Sequence, residues 1–278
     1  MPELPEVETI VRALRQGGRQ GPPLPGRKIQ SASLLWERSL AEPAPAEFTR
    51  RLPGQTVEEI GRRGKFIILQ LDRDALLIHL RMSGDLRVEA PDASGQLPPL
   101  QPHDRAQFIF ESGMRLAFND PRKFGRIWLT HDPQTVIGDL GPEPLDPAFT
   151  WEELYHLLHA SRGRLKSLLL DQTFLAGLGN IYTDEALFAA GLHPFLAANT
   201  LSEEQVERLW TAIRAVLQEG ILRNGASIDW VYRGGNFQEA FRVYRRTGQP
   251  CLVCGTPIQR RVIGQRSTHY CPVCQPES

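Results

Sequence analysis

The spacing of apolar residues changes several times along the chain. Val7, Ile10, Val11 and Leu14 recur at i, i+3, i+4 and i+7, which predicts a helix over Leu4–Gln16 with one buried face. Pro5 suits its first turn, where the neighbouring acids complement the helix dipole. From Lys28 to Leu129 the period shortens. Runs such as Phe66-Ile67-Ile68, Ala75 to Leu80, Gln107 to Phe110 and Met114 to Phe118 are separated by Gly, Pro and Asp clusters, which predicts a β-sandwich or barrel. Gly138 to Pro147 has the Pro and Gly density of a linker. Helical patterns then cover Trp151–Ala160, Lys166–Asp171 and Asn180–Ala190. Ser202-Glu-Glu-Gln205 is a capping box, opening a helix with Val206, Leu209, Trp210, Ile213, Val216 and Leu217 on one stripe. After Gly225 the helical pattern stops. The fold class is α+β.

Length changes the picture little: 278 residues suffice for two domains with their own cores, so any metal or disulfide is local in effect. No apolar run approaches the ~18 residues of a membrane helix, and the MPELPEVET start is acidic where a secretory signal is basic. A cytoplasmic protein is expected. The 32 basic and 32 acidic residues cancel. Their distribution does not: Arg242, Arg245, Arg246, Arg260, Arg261 and Arg266 lie between Ala240 and Glu277 without a carboxylate, a concentrated positive field suited to nucleic acid.

Cys251-x2-Cys254 and Cys271-x2-Cys274, 16 residues apart, have the spacing of a four-cysteine zinc site on a β-hairpin. Two disulfides are the alternative, disfavoured in a reducing compartment. Such a closed site is structural and would hold the loop Gly264–His269, from which Arg266 projects. Asn119-Asp-Pro-Arg-Lys-Phe-Gly125 reads either as a wedge, with Phe124 entering a base step between cations, or as a basic hairpin with Phe124 folded into the core. Ala176-Gly-Leu-Gly-Asn180, between two helices, reads as a turn whose glycines let amides approach a phosphate, or as an ordinary helix stop.

The N-terminus carries the least ordinary chemistry. Once Met1 is removed, Pro2 presents a secondary amine, and an α-amine titrates near ~8 against ~10.4 for lysine. Attack of that amine on an aldehyde carbon gives an iminium with no N–H proton to lose, a persistent electron sink that favours elimination. Glu3 either moves protons beside it or complements the helix dipole.

MPELPEVET, Gly64-Lys65, His79-Leu-Arg-Met-Ser-Gly84, Asn119 to Gly125, Gly177-Leu-Gly-Asn-Ile-Tyr182 and Gln265-Arg-Ser-Thr-His-Tyr-Cys271 together resemble the bacterial formamidopyrimidine-DNA glycosylases from the first residue to the last cysteine. The resemblance implies a monomeric base-excision-repair enzyme. It would excise oxidised purines such as 8-oxoguanine and formamidopyrimidines from double-stranded DNA, and cleave the strand at abasic sites by β- and δ-elimination. It also implies an N-terminal β-sandwich with its helix (1–137), a linker (138–147), a helix-two-turn-helix domain (148–240) and a zinc finger holding one structural zinc ion (241–278).

Carried over by position, Pro2 resembles the Schiff-base nucleophile and Glu3 the acid/base at the deoxyribose, Lys65 the proton donor of β-elimination and Arg266 that of δ-elimination. His79, His103, Arg122, Lys166 and Asn180 fall where the family contacts DNA. Met82, Arg122 and Phe124 match the trio that refills the gap left by an extruded nucleotide, a hole costing a few kcal/mol. Two departures stand out: Gly225–Asn236 is shorter than the family's lesion-covering loop, and Gly21-Pro-Pro-Leu-Pro-Gly26 is an insert of no assigned role. The alternatives are an endonuclease VIII-like enzyme for oxidised pyrimidines, against which Leu4, Val7 and Phe124 speak, and a non-catalytic zinc DNA-binding protein.

Overall fold

The computed structural model describes residues 2–18, 21–227 and 234–277. These divide into two units, one holding Pro2 and residues 6–139, the other residues 3–5, 140–227 and 234–277. Residues 228–233 of the predicted short loop lie outside the described residues.

Helix α1 (Leu4–Gln16) has the predicted bounds, and Val7, Ile10, Val11 and Leu14 are all fully buried. The first unit continues with β1 (Ile29–Leu34), β2 (Leu40–Glu42), α2 (Pro45–Arg51), β3 (Val57–Arg63), β4 (Phe66–Leu71), β5 (Ala75–His79), β6 (Asp85–Glu89), β7 (Asp104–Phe110), β8 (Arg115–Asn119), β9 (Arg126–Thr130) and α3 (Gln134–Ile137). One sheet has the order β1-β7-β8-β6 and the other β2-β9-β5-β4-β3. All pairs are antiparallel except β2 with β9.

Alternation explains the layering. Strand β7 buries every second residue, and Ala106, Phe108 and Phe110 join Leu116 and Phe118 of β8, Ile67 and Leu69 of β4, Ile78 of β5 and the stripe of α1 in one core. The proline-rich insert has a structural role. Leu24 enters this core fully buried, and its amide donates to the Leu14 carbonyl at 3.0 Å, closing the C-terminal end of α1.

The second unit contains α4 (Trp151–His159), α5 (Leu165–Leu170), α6 (Asn180–Ala190), α7 (Glu203–Leu222), β10 (Gln259–Ile263) and β11 (Arg266–Tyr270). Ser202 and Gln205 cap α7 reciprocally, as the capping box predicts, and Thr150 with Glu153 does the same for α4. Most of the predicted loop Gly264–His269 is strand: the turn is only Gly264-Gln265, both at positive φ, and Ile263 pairs directly with Arg266. That is the two-residue turn whose twist matches a hairpin. No helix among the described residues is long and apolar enough to cross a membrane.

Candidate nucleic-acid interface and zinc centre

In the first unit, two turns carry the residues expected to replace an extruded nucleotide. Met82 sits in the turn after β5 and Phe124 in the turn after β8; they are 37% and 47% exposed, and Arg122 is exposed with its guanidinium carbon 5.1 Å from the Phe124 ring centre. Phe124 is therefore outside the core, which excludes the reading of Asn119–Gly125 as a hairpin with Phe124 folded inward. Buried Asp120 builds this region. Its carboxylate accepts the Ser83 hydroxyl and the amides of Arg122 (3.2 Å) and Gly125 (2.7 Å). Lys123, at φ 61, lays its ammonium 4.0 Å from the Trp36 ring centre. His103 is exposed at φ 77, and its carbonyl accepts the Asp120 amide at 2.9 Å.

Lys65 occupies the two-residue turn between β3 and β4 and is 5% exposed; Pro2 is buried. His79 ends β5 opposite Phe66, whose ring meets it edge-on at 4.7 Å. Its Nδ1 accepts the Arg81 amide at 3.0 Å, so the neutral ring carries its proton on Nε2. Burial, reinforced by the charges of Arg81 and Lys65, lowers the His79 pKa to about 3. The imidazole is a neutral donor at physiological pH.

In the second unit, Glu3 is 2% exposed and caps α6: its carboxylate accepts the amides of Ile181 (3.0 Å) and Tyr182 (3.3 Å) at the positive end of that helix. The Ala176–Asn180 glycines serve this approach. A Cβ on Gly179 would lie 2.3 Å from the Glu3 carboxyl carbon, and one on Gly177, at φ 97, would lie 2.5 Å from Leu4. The turn admits the N-terminal segment of its own chain, so it is more than a plain helix stop. Asn180 donates to the Ser267 carbonyl at 2.9 Å, while its Oδ1 is buried and accepts no hydrogen bond among the described residues. Burial pushes the Tyr244 phenol up and the Asn180 side chain opposes it, so the two groups are neighbours.

Lys166 departs from expectation. It is fully buried, and its ammonium donates to Asp184 Oδ1 (2.6 Å), the Ser267 carbonyl (2.9 Å) and Thr268 Oγ1 (2.9 Å). An ammonium has three donors, and all are spent inside the protein, so Lys166 has none left for a DNA phosphate. The exposed cations of that segment are Arg162 and Arg164. Arg266 is exposed at the start of β11.

Asp120, Asp184 and Tyr244 escape motif reading. The available signal for Asp184 is Thr183-Asp-Glu185 inside α6, a helix otherwise apolar on every side, where three consecutive buried polar residues require an internal network.

The four cysteine Sγ atoms lie within 4.8 Å of one another, with Cys251 and Cys274 3.8 Å apart and Cys254 and Cys271 3.4 Å apart. A tetrahedron of Zn–S bonds of about 2.3 Å has edges of about 3.8 Å, so the cluster fits one zinc ion. Amides of Val253 and Cys274 donate to Cys251 and Cys271 sulfurs at 3.4 Å each, and donors from Thr256 lower the Cys254 thiol to about 6, whereas burial pushes the Cys271 and Cys274 thiols up, so the positive charge of the metal would be what deprotonates them.

This combination of a sandwich, a helical unit and a four-cysteine hairpin defines a zinc-finger DNA glycosylase architecture. Three family models match in sequence: the formamidopyrimidine-DNA glycosylase N-terminal domain over residues 1–127, its H2TH domain over 140–231, and the zinc finger found in FPG and IleRS over 248–276. Formamidopyrimidine-DNA glycosylases of Protochlamydia amoebophila (43% identical, 99% of both chains) and Chloroflexus aggregans (44% identical, 99% of this chain and 98% of the relative) are among the similar proteins. Among solved structures, a Lactococcus lactis FPG point mutant in complex with Fapy-dG-containing DNA aligns with a TM-score of 0.88 at 36% identity, covering 99% of this chain and 100% of that one. The L. lactis protein with abasic-site DNA aligns equally well, at 0.88 and 36% over 99% of each chain. The chain belongs to the formamidopyrimidine-DNA glycosylase family.

Proposed function

We propose that this chain is a bifunctional DNA glycosylase and abasic-site lyase of base excision repair, acting on double-stranded DNA that contains oxidised purines or abasic sites. The Pro2 amine attacks the deoxyribose C1′, the damaged base leaves, the C1′–O4′ bond opens as O4′ takes a proton from Glu3, and the resulting iminium draws electrons from the sugar. Loss of a C2′ proton then expels the 3′ phosphate, and a second elimination expels the 5′ phosphate. Glu3 exchanges protons with the deoxyribose, Lys65 supplies the proton of the first elimination and Arg266 that of the second. Met82, Arg122 and Phe124 fill the vacated stack, while His79, His103 and Asn180 contact the backbone. Residues 1–137 carry the nucleophile and wedge, 148–240 the helix-two-turn-helix and 241–278 the zinc finger. The protein acts as a monomer in the bacterial cytoplasm, on the nucleoid.

The observation that carries this reading is the buried Glu3 carboxylate, held by two amides of α6 immediately after a potential N-terminal proline amine. Capping α6 accounts for the burial of Glu3, and it is the adjoining proline amine that a DNA-binding protein without chemistry has no need of. Similarity to L. lactis FPG bound to Fapy-dG DNA supports purine lesions over oxidised pyrimidines.

Borohydride trapping tests it. Duplexes containing 8-oxoguanine are expected to yield a covalent adduct, and those containing thymine glycol much less. Blocking the N-terminus with extra residues is expected to abolish the adduct; undiminished trapping would overturn the proposal, and a preference for thymine glycol would favour the endonuclease VIII-like alternative.

A further inference from the structure

Lys166, Asp184, Asn180 and Thr268 converge on one short segment of β11. Beyond its bond to Lys166, Asp184 accepts on its other oxygen from the His269 amide at 2.9 Å and lies 3.1 Å from the ring Nδ1 of that residue. The Ser267 carbonyl accepts from both Lys166 and Asn180 at 2.9 Å. Residues 267, 268 and 269 are thus held by side chains of α5 and α6, and the Thr268 hydroxyl in turn donates to the Arg266 carbonyl at 3.4 Å.

Both members of the Lys166–Asp184 pair have fully buried side chains. Burying an ion pair is expensive, and an apolar pair of similar volume often serves stability as well or better. The arrangement does what an apolar contact does not. Its bonds are directional, and they set the β11 backbone relative to α6, the helix whose first turn holds Glu3. The other side of Arg266 is a two-residue turn with a single register. Strand β10 offers no comparable anchor, since Gln259, Arg260, Arg261 and Val262 are all exposed.

We infer that Lys166 and Asp184 are positioning residues for the second elimination: they clamp β11 so that Arg266 is presented at a fixed distance from the Glu3 end of α6. The inference rests on the reading of Arg266 as the proton donor of that step. A misplacement of about 1 Å in a reacting group costs up to ~100-fold in rate. Loosening the clamp should therefore slow the second elimination while the Schiff base at Pro2 still forms.

The test measures the ratio of doubly to singly eliminated strand product on abasic-site DNA, beside the yield of borohydride adduct, for Lys166→Met, Thr268→Val, Arg266→Gln and Lys166→Met/Arg266→Gln. Zinc content and circular dichroism report folding. Arg266→Gln and Lys166→Met should each lower the ratio about tenfold, and in Lys166→Met the adduct yield should stay within about twofold of the parent, a split that general destabilisation does not produce. Thr268→Val removes one acceptor of Lys166 together with the long hydroxyl bond to the Arg266 carbonyl, and should move the ratio in the same direction by less. Adding Lys166→Met to Arg266→Gln should change nothing further, because the clamp acts through Arg266. A parental ratio in Lys166→Met, or in Thr268→Val should Lys166→Met not fold, while Arg266→Gln shifts it, overturns the clamp alone. A parental ratio in Arg266→Gln overturns the assigned role of Arg266 and the clamp with it.

Discussion

The Ser83 hydroxyl donates to the Asp120 carboxylate and so joins the turn carrying Met82 to the turn carrying Arg122 and Phe124. Asp120 is 1% exposed and also accepts the Arg122 and Gly125 amides. Three exposed side chains are in this way referred to one buried anion. Removing it strands the Gly125 amide and the Ser83 hydroxyl, while the Arg122 amide keeps Ser83 Oγ as an acceptor at 3.2 Å, at a cost of about 1–3 kcal/mol for each donor left unmade. Asp120→Ala is expected to lower the denaturant midpoint by an amount in that range or above. It should also depress excision from intact duplex more than cleavage at a preformed abasic site, where the stack is already broken. Equal losses on both substrates would mean that the carboxylate serves stability alone.

Neutral His79 makes stability depend on pH. Its folded pKa, about 3, lies below the ordinary 6.5, chiefly through burial and further through Arg81 and Lys65. Between those values the unfolded chain binds a proton that the folded one does not, so stability rises with pH across this window and is lost as pH falls through it. The slope for one such group is at most about 1.4 kcal/mol per pH unit. Glu8 and Asp74, whose pKa values are lowered, act in the same direction below the ordinary carboxylate range, and His193, also lowered, acts alongside His79. The informative quantity is therefore a difference. Urea unfolding of the parent and of His79→Gln between pH 4 and 7 should show a shallower slope in the variant. Parallel slopes would mean that His79 titrates normally when folded.

Much of this architecture is legible in the sequence because it is local. Helix α1 and helix α6 have their predicted bounds, since apolar period, caps and breakers lie within them. Lys166 misleads for a physical reason: lysine is rarely buried, and only the partner Asp184, 18 residues away, and the backbone of β11, about 100 residues away, make burial tolerable. The Ala176–Asn180 glycines are only half legible. A glycine reports that something approaches closely, and the identity of the approaching group, Glu3, depends on tertiary structure. The role of Leu24 has no periodic signal because an irregular loop delivers it to the core.

Metal removal separates the zinc finger from the rest of the fold. Cys251 and Cys271 are buried beside Phe188, Val243 and Ile258 in a small cluster, so the hairpin has little apolar core of its own. Its folding energy comes from the thiolate–metal bonds. One zinc per chain is expected by elemental analysis. Chelation should release it and abolish DNA binding, since β11 and Arg266 lose their support, while the sandwich core keeps its far-ultraviolet dichroism. Metal-free protein with undiminished binding would contradict this assignment.

Phe124 offers the sharpest contrast between stability and function. Nearly half exposed and outside the core, it contributes little burial, so Phe124→Ala is expected to change folding stability by no more than about 0.5 kcal/mol. On DNA the same ring would stand in for an extruded base, offsetting part of an unstacking cost of a few kcal/mol. Its loss should slow excision from fully paired damaged duplexes by at least about tenfold, the equivalent of ~1.4 kcal/mol. An abasic or single-stranded substrate has no stack to refill and should be affected far less. Arg122, whose guanidinium carbon lies 5.1 Å from the centre of the same ring, has donors and no acceptor, which suits the acceptor edge of an orphaned cytosine. Arg122→Ala should therefore reduce the preference for cytosine over adenine opposite the lesion, whereas Phe124→Ala should slow both pairings alike. Excision rates on the two duplexes for both variants decide this, and a change of base preference in Phe124→Ala alone would reverse the two assignments.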